Sequence, residues 1–216
     1  MTRATAATAL GTLVGLLAAW PTAARGAERT RVAVLGERDA GWQSEGLARA
    51  VLAHLARAEG VVPANPVMAG RLVQSDADAE AAAGAAGLLH ARWVVVLAAG
   101  DAGEARARLL DAEEPAWRSL SVRGERHRLP GALALALAEA MGLSLSEEER
   151  ARIAKPLVAD PAAMEALWRG DAARDPARAL RHYRRAVRED PESAAARNQL
   201  GTALARMGRW EEALDA

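Results

Sequence analysis

The chain has 216 residues and is 51% apolar, enough for one medium domain or two small ones with a real core. Its 28 basic residues balance 28 acidic residues, which argues against general nucleic-acid binding through bulk electrostatics. Cysteine is absent, so disulfides, thiolate catalysis and cysteine-based metal sites are excluded.

The first 27 residues are predicted to be an export signal. Arg3 gives a positive start, residues 10–20 form an apolar run, and small residues around Ala24 and Gly26 allow cleavage. An uncleaved anchor is the alternative, although the run is short against the roughly twenty apolar residues of a spanning helix. Without cysteine, a lipid anchor at the junction is excluded. We therefore expect an exported protein, periplasmic or elsewhere in the cell envelope, that contacts a membrane only through this segment if it stays uncleaved.

Residues 28–143 are predicted to form an α/β domain that begins with a strand, a helix and a second strand. The apolar residues 31–35 give the first strand. Over residues 42–58, leucine and valine recur at helical spacing, with charged side chains on the other side. Gly60 ends this helix, and the sequence predicts a brief strand at 61–63.

The next stretch supplies further helices and a strand for the centre of the sheet. A short helix is predicted at 67–73, followed by an alanine-rich helix at 76–90 with Asp76 as its N-cap. Residues 93–97 include three consecutive valines, a continuous apolar run that is expected where both faces of a sheet are covered. We therefore expect this strand to be central.

Two more strands are predicted to add an antiparallel meander. Residues 104–110 alternate arginine with apolar side chains, and Leu120 and Val122 share one face of a strand at 117–123. The alternating alanines and leucines of residues 131–142 fit a strand or a helix. We predict a helix, because alanine and leucine are strong helix formers and no β-branched residue is present. The expected fold is a three-layer α/β domain with a mixed sheet.

A linker helix is predicted within residues 144–160. Ser146 is followed by three glutamates, which is typical of a capped helix with an acidic first turn. The helix is expected to reach about Lys155. Pro156 and the pair Asp160-Pro161 then end it.

Three segments of the α/β region carry a resemblance to a known family. They are Val32-Ala33-Val34-Leu35, Glu45-Gly46-Leu47 in the first helix, and Leu109-Leu110-Asp111-Ala112-Glu113 before Trp117. In order and spacing they resemble the TolB amino-terminal-domain-like group, which includes FlgO-type proteins. The resemblance covers about residues 31–153 and departs from the family where Gly36-Glu37 replaces the usual Pro-Phe. It implies a non-catalytic, partner-binding domain of the cell envelope, often followed by tetratricopeptide repeats.

Residues 161–216 resemble the tetratricopeptide repeat, a 34-residue helix-turn-helix unit. Small residues let its two helices approach closely, and larger ones fill the gaps between them. The residues predicted to build this packing, in two phased copies, are Ala179, Tyr183, Ala186, Pro191, Leu200, Gly201, Leu204 and Ala213. Arg197 and Leu204 stand where the pattern has Trp and Tyr, and the first copy has a short leading helix around Gly170. The pattern predicts all-α helical hairpins, the last one incomplete.

One helix of this region is predicted to present a partner-binding face. The packing stripe of the helix over 194–207 consists of Leu200, Ala203, Leu204 and Met207. Asn198, Thr202 and Arg206 lie four residues apart and about half a turn away, so they face outward together. In tetratricopeptide arrays the equivalent helix lines a concave groove that holds peptide segments, so the resemblance predicts that these three residues contact a partner. An ordinary solvent-exposed face is the alternative.

The sequence completes no enzyme motif. Gly36 and Gly41 have phosphate-loop spacing, but Trp42 and Gln43 stand where a lysine and a serine or threonine are required. Ser44 lacks the flanking glycines of a nucleophile elbow. The four histidines fall on separate elements without paired ligand spacing. We therefore expect no catalysis, no cofactor and no metal site.

A basic cluster lies around one end of the last predicted strand. It consists of Arg118, Arg123, Arg126, His127 and Arg128. A solvated face is the commoner meaning of such a cluster, and an acidic partner is the alternative. Aromatic residues are few apart from six tryptophans, so no stacking platform for single-stranded nucleic acid is visible and no nucleic-acid partner is expected.

The sequence thus predicts a non-enzymatic scaffold of the bacterial cell envelope that binds a protein or peptide through its repeat helices. A regulatory protein that senses a small ligand through the α/β domain is the alternative. Repeat arrays usually need three or more units and a polar closing end. The short last helix near residues 209–216 therefore also predicts that the chain is truncated or that its array continues in a longer product.

Overall fold

The computed structural model describes residues 29–37, 40–74, 77–101 and 103–216. The predicted export signal, residues 1–27, lies outside the described residues, as does the predicted N-cap Asp76. Within the described part of the chain, no helix is long and apolar enough to cross a membrane.

The described residues form one sheet and a series of helices. The strands are β1 (Thr30–Gly36), β2 (Val61–Pro63), β3 (Trp93–Ala99), β4 (Glu104–Asp111) and β5 (Trp117–Arg123). The helices are α1 (Gly41–Leu55), α2 (Pro66–Leu72), α3 (Ala79–Leu88), α4 (Leu129–Ala140), α5 (Glu147–Ala154), α6 (Pro161–Asp171), α7 (Pro176–Glu189), α8 (Ala194–Arg206) and α9 (Trp210–Leu214).

The sheet is mixed, with the strand order β2-β1-β3-β4-β5. β1 pairs in parallel with β2 and β3, because a helix crosses between each pair of strands. Short turns join β3, β4 and β5, and each pairs antiparallel with the next. Leu97 of β3 lies opposite Ala107 of β4, which lies opposite Leu120 of β5. The predictions of a central β3 and of an added antiparallel meander are confirmed.

Helices cover both faces of this sheet. Alternate residues of each strand point to opposite sides, so Val34 and Val95 pack on one face with α1 and α4, while Val94 and Val96 pack on the other with α2 and α3. The predicted three-layer α/β fold followed by all-α helices is therefore confirmed. The alternating segment of alanine and leucine is the helix α4, with Leu133 and Leu137 fully buried.

Side-chain caps fix the starts of several helices, α3 and α5 among them. α3 begins after Asp78, whose Oδ1 accepts a hydrogen bond from the Ala81 N–H at 2.8 Å, so the cap described in the structure lies two residues beyond the predicted Asp76. α5 begins with the predicted capping box, in which Ser146 and Glu149 exchange hydrogen bonds. Glu149 also accepts the Glu59 N–H at 2.7 Å, which ties the linker helix to the end of α1. Hydrogen bonds from the Ser146 and Glu59 backbone N–H groups lower the pKa of Glu149.

A buried histidine makes a second tie between α1 and the linker helix. The Nδ1–H of His54 donates to the Ile153 carbonyl at 2.6 Å, and His54 is 1% exposed. Burial is the main cause that lowers its pKa to about 4, so the ring is neutral at pH 7. Beside it, Arg57 donates to the carbonyls of Arg152 and Lys155, which lie at the end of α5.

The core under α1 continues without a break into the later helices. Trp168 of α6, Leu180 of α7 and Leu200 of α8 belong to the same buried cluster as Leu47 and Val51 of α1. The segments on either side of the linker helix thus share one core, which fixes the orientation of α6 against the α/β layers.

Candidate protein-binding site

The first helical hairpin, α6 and α7, packs through a glycine. A Cβ atom added at Gly170 would lie 2.5 Å from Cε1 of Tyr183, so only glycine lets the two helices approach this closely. The Tyr183 hydroxyl reaches back to donate to Oδ1 of Asp171 at 3.0 Å. Ala179 and Ala186 are buried on the same side of α7. These contacts set the angle between the two helices.

The second hairpin, α8 and α9, follows the same plan with fewer contacts. Ser193 caps α8 by accepting the Ala196 N–H at 3.2 Å, and Pro191 lies in the loop before it. Leu200 and Leu204 are buried against the first hairpin. A Cβ atom at Gly201 would lie 3.2 Å from the Ala213 carbonyl oxygen, so α9 also passes close to a glycine.

Residue Met207 is the member of the predicted packing stripe that the structure places differently. It is 40% exposed, whereas Leu204 is 3% exposed. α8 ends at Arg206, and Gly208 turns the chain with a φ of 75°, so Met207 stands past the last helical residue. The stripe therefore ends one turn earlier than the spacing predicts.

The three predicted contact residues lie on the solvent side of α8. Asn198 and Arg206 are exposed and Thr202 is half-buried. Asn198 and Thr202 line an open groove of about 720 Å³ whose other wall includes Trp210 and Leu214 of α9. Within the described residues, Arg206 is not part of that lining. The structure therefore brings Asn198 and Thr202 together in one groove and leaves Arg206 beside it.

Helix α1 covers the neighbouring face of α6. A Cβ atom at Gly46 would overlap with the Cβ and Cγ atoms of Trp168, so α1 and α6 touch backbone against ring. Between α1, α6 and α8 a cleft of about 410 Å³ remains, whose lining includes His54, Asp171 and Asn198. Asn198 thus stands between this cleft and the α8–α9 groove, and a partner on this side of α8 would also meet α1.

One buried carboxylate, that of Asp171, lies where α6 meets α1. The Asp171 side chain is 5% exposed and lies 3.8 Å from the Arg49 guanidinium, which also pairs with Glu45 at 3.0 Å. Burial raises the pKa of Asp171, while Arg49 and the hydrogen bond from Tyr183 act in the opposite direction. Burial, followed by the charge of Asp171, raises the pKa of Tyr183. The cluster links α1 to the first hairpin through polar contacts as well as apolar ones.

Ser44 and Gly36 make close contacts between α1 and the sheet. The Ser44 hydroxyl donates to the Ala40 carbonyl at 3.3 Å and accepts the Ala99 N–H at 2.9 Å, which clamps α1 to β3. A Cβ atom at Gly36 would lie 2.7 Å from the Ser44 carbonyl oxygen, so this glycine serves the approach of β1 to α1. Within the described residues, no group of three or more histidine, aspartate or glutamate side chains is placed to hold a metal ion.

A family model described as a tetratricopeptide repeat matches residues 172–216. The match covers about a fifth of the chain, and this part of it is similar to tetratricopeptide repeats. The match spans α7, α8 and α9, and it confirms the repeat prediction; such repeats generally bind protein partners. The TolB-like resemblance of the α/β domain has no family match and stays a prediction. A search of curated proteins finds no match for the chain.

Sequence reasoning missed the contact between α1 and α6. The signals were Gly46 within the amphipathic helix α1 and Trp168 in the leading helix of the first hairpin. Neither residue names its partner, because contact between distant segments depends on how the helices are placed in space. The cleft beside Asn198 could not be predicted from the sequence for the same reason.

Proposed function

We propose that the protein is a non-enzymatic scaffold of the cell envelope. It holds a protein or peptide segment against the exposed face of α8, with Asn198, Thr202 and Arg206 as the contact residues. The observation that carries this proposal is the tetratricopeptide match to residues 172–216, in which α8 presents a polar, solvent-facing side next to an open groove.

The groove beside α8 has the composition of a peptide site. The exposed apolar side chains Trp210 and Leu214 offer contact area, and Asn198 and Thr202 offer hydrogen bonds to a peptide backbone. Arg206, which lies outside the groove lining, adds a positive charge on the same helix. An extended segment laid along α8 would bury the tryptophan and satisfy the amide in the same step.

The other parts of the proposal rest on the sequence. The α/β domain is proposed to be TolB-like, with support from the order β1-α1-β2 and the antiparallel β4 and β5. Export to the envelope is proposed from the apolar run at residues 10–20.

A partner-capture experiment tests the α8 site. Tagged protein is incubated with envelope extract, and the bound proteins are quantified by mass spectrometry for the wild type and for Asn198→Ala combined with Arg206→Ala. Both side chains are exposed, so we expect an unchanged melting temperature and a loss of about tenfold in the specific partner.

The matched control is Arg106→Ala combined with Ser119→Ala, which truncates two exposed side chains on the sheet, far from the repeat. The control should capture the partner as well as the wild type does. Equal capture by all three proteins would mean that Asn198 and Arg206 do not form the site.

A small-ligand sensor is the second candidate, and one observation favours it. The cleft of about 410 Å³ between α1, α6 and α8 is lined by Leu167, Trp168 and a few polar groups that include His54 and Asp171, a composition typical of ligand pockets. A ligand there would contact both the α/β domain and the repeat.

A thermal-shift screen with a metabolite library separates the two candidates. A sensor gains stability with a small molecule, and Trp168 fluorescence should change with it; a scaffold gains stability only with its protein partner. A metabolite that raises the melting temperature of the wild type, but not of Asp171→Asn, would favour the sensor.

A further inference from the structure

Helix α7 carries a row of arginines along its exposed side. Arg178, Arg181, Arg185 and Arg188 are spaced by three, four and three residues, which places them on one face of the helix. All four are exposed, while Leu180 and the rest of the opposite face are buried. We call these four residues the arginine row.

Few carboxylates neutralise this row. Among the described residues, its only ion pair joins Arg185 to Glu189 at 3.5 Å. The nearby Asp175 is engaged at the start of the helix, where its carboxylate accepts the N–H groups of Ala177 and Arg178. Most of the positive charge of the row is therefore not paired with a carboxylate of the described chain.

The row runs into a pocket at the N-terminal end of α7. This pocket, of about 390 Å³, is lined by Trp42 of α1, Arg169 of α6, and Arg174, Arg178 and His182, together with two alanines and the capping residue Asp175. The Arg169 guanidinium lies 4.6 Å from the centre of the Trp42 ring and pairs with Glu165 at 2.8 Å. Three arginines and a histidine thus share one concave site that is walled by an aromatic ring.

The pKa of His182 reflects the positive charges around it. Burial, followed by the charges of Arg178, Arg169, Arg181 and Arg185, lowers the pKa of His182. Like charges held this close repel one another, so an anion that enters the pocket relieves the repulsion.

We propose that the pocket and the arginine row bind an acidic protein segment. One carboxylate enters the pocket between Trp42 and Arg178, and further carboxylates pair with Arg181, Arg185 and Arg188. Arginine suits this task because its guanidinium pairs with a carboxylate through two parallel hydrogen bonds. This surface lies on α7, apart from the face of α8 assigned above to the peptide.

The shape of the surface favours a protein segment over an anionic membrane. Binding to a membrane surface is strengthened by apolar side chains that enter the lipid. In the described chain, the large exposed apolar residues are Val67, Met68, Leu88, Met207, Trp210 and Leu214, none of them on α7 or in the pocket. A concave pocket also suits a protruding side chain better than a flat layer of headgroups.

Fluorescence anisotropy with a labelled peptide tests the proposal. The probe is a ten-residue peptide of alternating Glu and Ser, and its partner probe replaces each Glu by Gln. We expect the full chain to bind the Glu peptide at least about tenfold more tightly than the Gln peptide, with affinity that falls as salt rises. Arg178→Gln combined with Arg181→Gln should weaken Glu-peptide binding about tenfold.

The matched control is Arg106→Gln combined with Arg118→Gln, two exposed arginines of β4 and β5, which should bind the Glu peptide as the wild type does. The pair Arg185→Gln and Arg188→Gln gives an independent reading of the row. Asn198→Ala combined with Arg206→Ala should leave Glu-peptide binding unchanged, which separates this surface from the α8 site.

Occupancy of the pocket itself is read by NMR. The imidazole signal of His182, assigned with His182→Gln, should titrate at a higher pH when the Glu peptide is bound. Equal binding of the Glu and Gln peptides, equal loss in the control pair, or row-dependent binding of phosphatidylglycerol vesicles without peptide binding would each overturn the proposal.

Discussion

The two helical hairpins of the repeat follow one plan but are buried to very different degrees. In the first hairpin Trp168 is 3% exposed and Leu180 is 4% exposed. In the second hairpin Trp210 is 65% exposed and Leu214 is 90% exposed. Leu180 and Leu214 are equivalent, since each follows one of the small repeat residues, Ala179 and Ala213. The residue type is the same, and the surroundings differ.

The neighbours of each hairpin explain this difference. The first hairpin lies between α1 on one side and α8 on the other, and it shares a continuous core with the sheet. The second hairpin packs mainly on α7, and the Ser193 hydroxyl at the start of α8 also donates to the Leu157 carbonyl at 3.1 Å. A repeat unit cannot bury its own apolar face and depends on whatever packs beside it. The first hairpin therefore supports the fold, while the second leaves more of its apolar surface exposed.

The largest effect should come from truncating the tryptophan of the first hairpin. Trp168→Ala removes a buried ring from the contact with α1, and we expect it to lower the free energy of unfolding by about 3–5 kcal/mol. Trp210→Ala truncates the same residue type at an exposed position and should change it by less than about 0.5 kcal/mol. Urea unfolding followed by circular dichroism measures both. Similar losses in the two variants would mean that the hairpins are buried alike.

The glycine under Trp168 gives the next largest effect. Gly46→Ala places a methyl group against the Trp168 side chain and should destabilise the protein by about 2–3 kcal/mol, because the helix backbone cannot yield. Gly84→Ala, in the middle of α3, meets open space and should stabilise it by about 0.5–1 kcal/mol. Thermal melts of the two variants should move in opposite directions. A harmless Gly46→Ala would show that α1 and α6 are not in direct contact.

Acid should first weaken the contact between α1 and the linker helix α5, which His54 makes. The pKa of His54 is about 4 in the folded state and about 6.5 when unfolded, so the unfolded chain binds the proton more tightly. The stabilising contribution of neutral His54 is complete above pH 6.5 and declines as pH falls toward 4. Between pH 7.5 and pH 5 we expect a loss of about 2 kcal/mol.

His54→Gln keeps an N–H donor for the Ile153 carbonyl but does not titrate, so the difference between its pH profile and that of the wild type isolates His54. Asp171, whose pKa is raised, contributes in the opposite direction in both proteins. Hydrogen exchange at pH 5 should show new opening in α1 and α5 and little change in α8. Parallel profiles for the two proteins would assign the acid sensitivity to other groups.

Local signals predicted most elements of the fold. The three valines of β3, the alternating arginines of β4 and the capping box at Ser146 each act over a few residues, so the sequence carries them in full. The N-cap of α3 shows the limit of this reasoning, since Asp76 and Asp78 offer the same cap chemistry two residues apart. The exposed positions of Asn198 and Arg206 also followed from spacing alone, whereas Thr202 is half-buried.

The sequence by itself determined the order of the strands and helices and the repeat at residues 172–216, because hydrophobic period, capping residues and small-residue spacing are local properties. Only the tertiary structure decided that α1 lies against Trp168, that Asn198 stands beside a cleft, and that the arginines of α7 meet Trp42 in one pocket. These contacts join residues more than one hundred positions apart. They follow from the direction in which each helix leaves the shared core, which no short stretch of sequence encodes.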